Sequence, residues 1–541
     1  MWFKINISDR IKLKQCFLFL LLNFLLIAAG FSQTVTNVGT DFWVAFLRNS
    51  ASLPTLKLFI SSNFSTSGTI TSAYPGVNQT FTVIPGIVTQ VSIPSGIELH
   101  TILPEDKGIH VVSNDPISLY GLNRANASTD AYLGLPVNAL GLDYTIVTYK
   151  TSLGGAGFGS GFGIVSTQDA TALTIYNHQT NLTTNITLNQ GQTYFMDASA
   201  IGQDITGSRI QSNFPVAVFG SVAAVNVPTG CYAADHIVEQ MFPHYAWGKN
   251  FITVPLAGRD ASGDIFRIVA AEDATDISIN GTLITTINTG DHYEANLAGY
   301  NSITTSKATL LAQFAKGIEC SGNITGDPFM LLIPPREQFL TNYTVSTVDG
   351  FTSHWVNVVA PDYALNAISQ DGVLIPAAAF TQVGTTGFYG VQRAVTEGSH
   401  TFTSAFPFGV FVYGWNTADS YGYPGGCSLS PVGTVHSVTI APPTLTGTLN
   451  VSTLCYTAHV EDNLMNPVAG VLVNFHISGL SNITGNAYTD ASGNAQYCYA
   501  RTGTTPGTDN IYAEVFGFTS TTSTAIWNYS PPSCVNPTNG G

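Results

Sequence analysis

A unit of about a hundred residues recurs four times along this chain, and no other feature limits the fold as strongly. Ser113-Asn114-Asp115-Pro116-Ile117 is answered by Ser212-Asn213-Phe214-Pro215-Val216 and by Ser404-Ala405-Phe406-Pro407-Phe408. Each runs on into an apolar stretch that reaches Gly121, Gly220 or Gly414. A weaker copy, Thr305-Ser306-Lys307-Ala308, lies between the second and the last. Unit starts also match: Gly141-Leu142-Asp143-Tyr144 parallels Gly248-Lys249-Asn250-Phe251 and Leu340-Thr341-Asn342-Tyr343. Within a unit, short alternating apolar runs are broken by Gly, Pro and Asn-Gly, the pattern of strands and turns. The expected fold is therefore all-β, with four tandem β-sandwich-like repeats at 33–130, 131–235, 236–332 and 333–426. A propeller-like arrangement of the repeats is the alternative.

The first 32 residues read as an export signal. Lys4, Arg10, Lys12 and Lys14 precede the apolar run from Cys16 to Gly30, and cleavage is expected before Gln33. The run is too short to span a bilayer, and no later stretch is long enough, so the mature chain is expected to be secreted or displayed at a cell surface without membrane insertion. Only 9% of residues are charged and the formal net charge is −15. An acidic chain without a basic patch is repelled by nucleic acid.

Residues 435–529 break the repeat. Thr457-Ala458-His459-Val460-Glu461-Asp462, Asn466-Pro467-Val468-Ala469-Gly470-Val471 and Thr489-Asp490-Ala491-Ser492-Gly493-Asn494 resemble, in order and spacing, the bacterial Ig-like domain of the invasin and intimin type. This implies an adhesive or stalk sandwich without an active site, and it suggests a bacterial source. Residues 530–541 read as a linker.

The repeats resemble the N-terminal domain family of IgGFc-binding protein. The resemblance is carried by Gly39-Thr40-Asp41-Phe42-Trp43, Ser113-Asn114-Asp115-Pro116, Ala131-Tyr132-Leu133-Gly134-Leu135-Pro136, Asp235-His236-Ile237-Val238-Glu239-Gln240, Gly326-Asp327-Pro328-Phe329 and Tyr421-Gly422-Tyr423-Pro424. It implies a secreted or surface protein that binds an extracellular protein or a mucin-like glycan. The von Willebrand-type domains of the animal protein have no counterpart here. An adhesive, binding function follows, with a structural spacer of the cell surface as the second reading and a hydrolase working between repeats as the third. No enzyme activity is expected.

Export makes disulfides the default for the six cysteines after the signal. Around Cys455 the apolar phase is Leu454, Tyr456, Ala458 and Val460, and around Cys498 it is Ala495, Tyr497 and Tyr499. Both cysteines therefore face outward, and they can join only as a staple across neighbouring strands. Cys231, Cys320 and Cys427 each follow the end of a repeat. A Cys231–Cys320 bond would tie the second repeat to the third, leaving Cys427 for Cys534 or for another chain.

Other groupings read as structure. Cys231, His236, Glu239 and His244 crowd together without a ligand spacing, so no metal is assigned. The glycine-rich residues 154–161 lack the Lys and the strand-to-helix context of a phosphate loop. The pairs Glu105-Asp106, Glu272-Asp273 and Glu461-Asp462 sit on adjacent positions that point to opposite faces, so none is a glycosidase dyad. No cofactor is expected, although loop carboxylates offer calcium the oxygen ligands it prefers. Asp41-Phe42-Trp43 reads as core before it reads as a sugar platform.

Overall fold

In each repeat one strand is far longer than the rest: Ile109–Ala125, Arg209–Val225, Asn301–Phe314 and Ser399–Asn416. A strand of that length cannot lie flat in a small domain, and here it serves two sheets. In the first module its N-terminal half pairs with Gly39–Val44 and Thr66–Thr71, and its C-terminal half with Thr55–Ser61 and Ser128–Gly134. The repeated motif marks the bend. Two residues of the first strand oppose five of the long one in all four modules: Gly39/Asp41 face Ile117/Val112, and the same step recurs at Val216/Gln211, Thr309/Thr304 and Phe408/Thr403. Pro116, Pro215 and Pro407 lie inside these bulges, where a residue without an N–H breaks no ladder. The bulge carbonyls find a local donor. Ser113, Ser212 and Thr305 donate their hydroxyls to the carbonyls of Asp115, Phe214 and Lys307 at 2.8, 2.7 and 2.7 Å.

This computed structural model describes residues 35–531, except 51–52, 323–324, 430–434, 463–464, 466, 469–470, 491 and 516–517. The export signal and Cys534 lie outside the described residues. Three modules share one seven-stranded topology, and the fourth follows it with an added short strand, Thr381–Gln382. The strand after the long one closes each module: Ser128–Gly134, Asp235–Gln240, Met330–Ile333 and Asp419–Pro424. The expected boundary at 130/131 therefore falls inside a strand.

The modules close into a ring. The closing strand of the first packs against those of the second and fourth, and that of the third does likewise. The seam is sealed by main-chain bonds between the first described residues and the end of the fourth module. Leu429 N–H donates to Val35 O at 2.7 Å and Asn37 N–H to Cys427 O at 3.2 Å. Val35–Val432 forms one compact unit.

Every module interface carries an arginine over an aromatic ring. Arg48 lies 4.0 Å from the Phe158 centroid, Arg267 4.0 Å from Tyr149, Arg259 4.5 Å from Trp415 and Arg124 5.0 Å from Phe351. Arg267 is 0% exposed and links module three to module two. Its guanidinium meets Asp204 at 2.7 Å, Glu294 at 2.8 Å and the Thr148 carbonyl at 2.7 Å. Burial alone would raise the Asp204 pKa, but Arg267 overrides it and holds the carboxyl below its ordinary value. Cys231–Cys320 joins the same two modules, with Cα atoms 5.7 Å apart.

Residues from Val435 onward form a separate sandwich of a three-stranded and a six-stranded sheet around Tyr456, Phe475 and Trp527. Cys455 and Cys498 stand directly opposite each other on neighbouring strands, outside that core, and are bonded.

Two outcomes follow for stability. Arg267→Met leaves Asp204 and Glu294 without their partner and should lower the ring's unfolding free energy by about 3–5 kcal/mol in urea titrations, with Arg267→Lys falling between. Cys231→Ser/Cys320→Ser opens a crosslink spanning 89 residues. In the chain-entropy model that change should cost about 4–5 kcal/mol, and calorimetry should place it in the ring's transition while leaving that of the C-terminal sandwich alone.

Candidate functional site

A closing strand has one edge paired to its long strand, while the other faces the axis of the ring. All four are buried throughout. The axial edge thus presents main-chain N–H groups to the interior, and each needs an acceptor. Asp130 supplies it. Its carboxylate accepts from Ala131 N–H at 2.8 Å, Val238 N–H at 3.0 Å, Met330 N–H at 3.2 Å and Gly422 N–H at 3.2 Å. Those donors come from all four modules in turn. Burial pushes the Asp130 pKa up, and the four N–H groups oppose that shift. A protonated acid would turn an O–H toward groups that can only donate, so the geometry is that of a carboxylate.

Glu239 and Gln240 extend the same service along the axis. Leu332 N–H donates to Glu239 at 3.4 Å, and Leu135 N–H to the Gln240 carbonyl oxygen at 2.9 Å. His236, beside them, is 0% exposed and bonds the Val222 carbonyl through Nδ1 at 3.0 Å. Burial pulls its pKa down to about 4, so it is neutral at physiological pH.

Three more buried aspartates lie near the starts of the other closing strands: Asp235, Asp327 and Asp419, with exposures of 0, 2 and 5%. Asp235 and Asp419 open their strands at the place that Ser128 takes in the first module, two residues before Asp130. Asp235 accepts from Thr129 N–H and from its neighbour His236 N–H, both at 2.7 Å. Its Oδ2 has no donor, and neither has Oδ1 of Asp327 or of Asp419. Burial, followed by the negative charges of Asp419, Asp327 and Asp130, drives the Asp235 pKa well up. Burial likewise lifts Asp327 and Asp419 to about 6.

The residues singled out in the sequence are scattered. Cys231 is in the disulfide, Glu239 is on the axis, and His244 bonds Thr145 at 2.8 Å elsewhere. Among the described residues no group of three His, Cys, Asp or Glu side chains is placed to hold a metal ion. The glycine-rich loop wraps a carboxylate of its own module: Gly157 and Gly159 N–H donate to Asp197 at 2.8 and 3.2 Å. Glu105 pairs with Lys107, Glu272 approaches Lys307, and Glu461 meets His459. Trp43 is 8% exposed and stacks on His110 with centroids 4.2 Å apart. Cys427 is a buried thiol without a disulfide partner among the described residues, its main chain seals the ring against Asn37, and Cys534, the partner offered by the sequence, lies outside those residues.

The loops at one end of module two form a knit surface. Thr151 N–H bonds Gln203 O and Gly155 N–H bonds Ser199 O, while Asn226 N–H bonds the Ser152 hydroxyl. From these loops project Leu153, Ile201 and Tyr232, exposed by 43, 72 and 74%. Cys231, next to Tyr232, anchors that loop through its disulfide.

The family described as IgGFc binding protein matches residues 130–414. The chain belongs to this family. Human IgGFc-binding protein is 26% identical over 431 residues, which is 74% of this chain and 8% of that protein's own length. Among solved structures, the D0-D1 domain of intimin is 16% identical over 35% of this chain and 89% of its own, with a TM-score of 0.14. A tetra-tandem repeat from the extending region of a large adhesion protein is 12% identical over 76% of this chain and 95% of its own, with a TM-score of 0.12. Both scores are too low for a shared overall fold. The family match begins at Asp130 and takes in Asp235 and Asp327 but stops short of Asp419. No helix among the described residues is long and apolar enough to cross a membrane.

Asp130→Asn keeps the shape but offers one acceptor oxygen and adds two donors against the N–H groups of three other strands. Thermal unfolding of this family member should fall by the equivalent of about 3 kcal/mol or more. Hydrogen exchange should speed up in all four closing strands together. Deprotection confined to the first module would contradict the axial role of Asp130.

Proposed function

We propose that this chain is an extracellular binding protein in which a closed, rigid ring presents loops to a protein ligand. The observation that carries this reading is the exposed apolar trio Leu153, Ile201 and Tyr232, held on crosslinked loops above a buried scaffold. Exposed aromatic and aliphatic side chains with neighbours already fixed lose little entropy on binding, and such residues dominate interface energetics. Membership of the IgGFc-binding family agrees with a protein ligand, and the printed name of the human relative makes antibody Fc the first one to test. A mucin-type glycoprotein is the second. A purely extensible spacer fits less well, since four modules closed on themselves add little reach. Disulfides fit export to an oxidising environment.

Biolayer interferometry of the ring against IgG Fc and against a mucin glycoprotein should give saturable binding to at least one. Leu153→Ser/Ile201→Ser/Tyr232→Ser should weaken it by about tenfold or more without altering the melting temperature. Affinity unchanged by the triple substitution would move the site away from module two, and binding to neither probe would count against the reading.

A further inference from the structure

The axis holds more carboxyl oxygens than it holds donors. Asp130 uses both of its oxygens on four N–H groups. Asp235, Asp327 and Asp419 each leave a buried oxygen without a partner. A buried anion lacking donors is costly in proportion to its desolvation, and like charges nearby add to the cost. Arg124 and Arg259 are the cations in electrostatic reach, acting on Asp419 and on Asp327 respectively. Against them stand Asp130 and the three aspartates themselves. Glu239, lower on the axis, adds a further buried acid, and His236 is neutral. The remaining charge has to be removed, and the side chains are not placed as a chelating group for a metal ion. Protonation does it, and it removes the charge from an oxygen that has no donor.

We propose that protons held on Asp235, Asp327 and Asp419 clamp the closing strands of the four modules, so that the ring tightens in acid and loosens at neutral pH. The sign follows from linkage. These carboxyls bind protons more tightly folded than unfolded, so their contribution is full below the ordinary aspartate range and, for Asp327 and Asp419, fades as pH rises through about 6. His236 and His244 act in the opposite direction, because burial pulls both to about 4 and acid favours their unfolded, protonated form. A wild-type pH profile mixes the two, whereas a comparison with Asp327→Asn/Asp419→Asn isolates the carboxyls.

The full chain and this double variant would be melted at about pH 5 and about pH 7.5, with and without millimolar calcium. The amides imitate the protonated state, so at neutral pH the variant should melt about 2 °C or more above wild type. That gap should narrow clearly at pH 5. A variant less stable at neutral pH, or a gap independent of pH, would show that the carboxyls are ionised and paired, and the clamp would be wrong. Calcium stabilisation of wild type at neutral pH that the variant lacks would equally overturn it in favour of a bound cation. Should the variant fail to fold, difference infrared spectra of the wild-type chain decide the matter. A protonated-carboxyl band must be present at about pH 5 and lose intensity in a step with its midpoint near 6, and the absence of that step ends the proposal.

Discussion

Strands that meet around an axis create a problem that strands in an open sheet do not have. In a sheet each edge finds another edge, or water. At the centre of this ring four buried strand edges meet, each strand being paired only to the long strand of its own module. Unsatisfied main-chain groups there would cost about 1–3 kcal/mol each, enough together to erase the stability of an ordinary domain. The Asp130 carboxylate removes four of these penalties at once, through donors drawn from positions 131, 238, 330 and 422. An aliphatic plug could fill the same volume, but it could accept no hydrogen bond. The remaining features of the ring can be understood as consequences of having to bring four modules to this point and hold them there.

The interfaces between modules answer that need with one recurring device. A guanidinium laid flat on an aromatic ring buries apolar area on its faces while its edge still donates. Arg267 does so most completely, with Tyr149 beneath it and carboxylates of two modules at its rim. Because the charge is compensated where it lies, the contact is strong only as a set, and the loss of any member strands the others. The disulfide between Cys231 and Cys320 acts on the same interface by a different route, limiting how far the second and third modules separate in the unfolded chain.

Much of this was legible in the residues. The Ser-x-x-Pro motif of three units and its Thr-x-x-Ala counterpart in the third announced four copies of one β-unit, because a bulge imposes local chemistry: a small hydroxyl to serve the free carbonyl, and a residue such as proline that asks for no acceptor. The outward phase of Cys455 and Cys498 pointed to a cross-strand bond for the same local reason, since a period of two fixes the face. Ring closure was not legible in this way. The donors to Asp130 lie up to 292 residues away in sequence, and a main-chain N–H leaves no signature in the residue type that bears it. One clue was available. Asp235, Asp327 and Asp419 recur just before or at the start of a buried run in the last three modules, and Asp130 lies two places further along in the first. A boundary drawn after residue 130 split Asp130 from the rest of its strand. The burial of Cys427 was hidden for a related reason: its place after the last repeat looks like an exposed end, and only closure onto Asn37 makes it interior.

Closure also changes what the loops can do. A chain of sandwiches joined end to end would bend at each linker, and loops on different modules would have no fixed spacing. Tying the last module to the first leaves no free end within the ring, so a displacement at one interface must be taken up by the other three. The loops of module two gain from this twice. Their bases are fixed by the ring, and their tips are fixed by bonds among residues 151, 155, 203 and 226 and by the disulfide at Cys231. Tyr232 then stands in solvent on a backbone already anchored through Cys231, which lowers the main-chain ordering cost of using its ring to hold a partner. The buried carboxylates and the exposed tyrosine are thus two ends of one constraint: the first make a rigid ring out of separate modules, and the second has a use only if the ring is rigid.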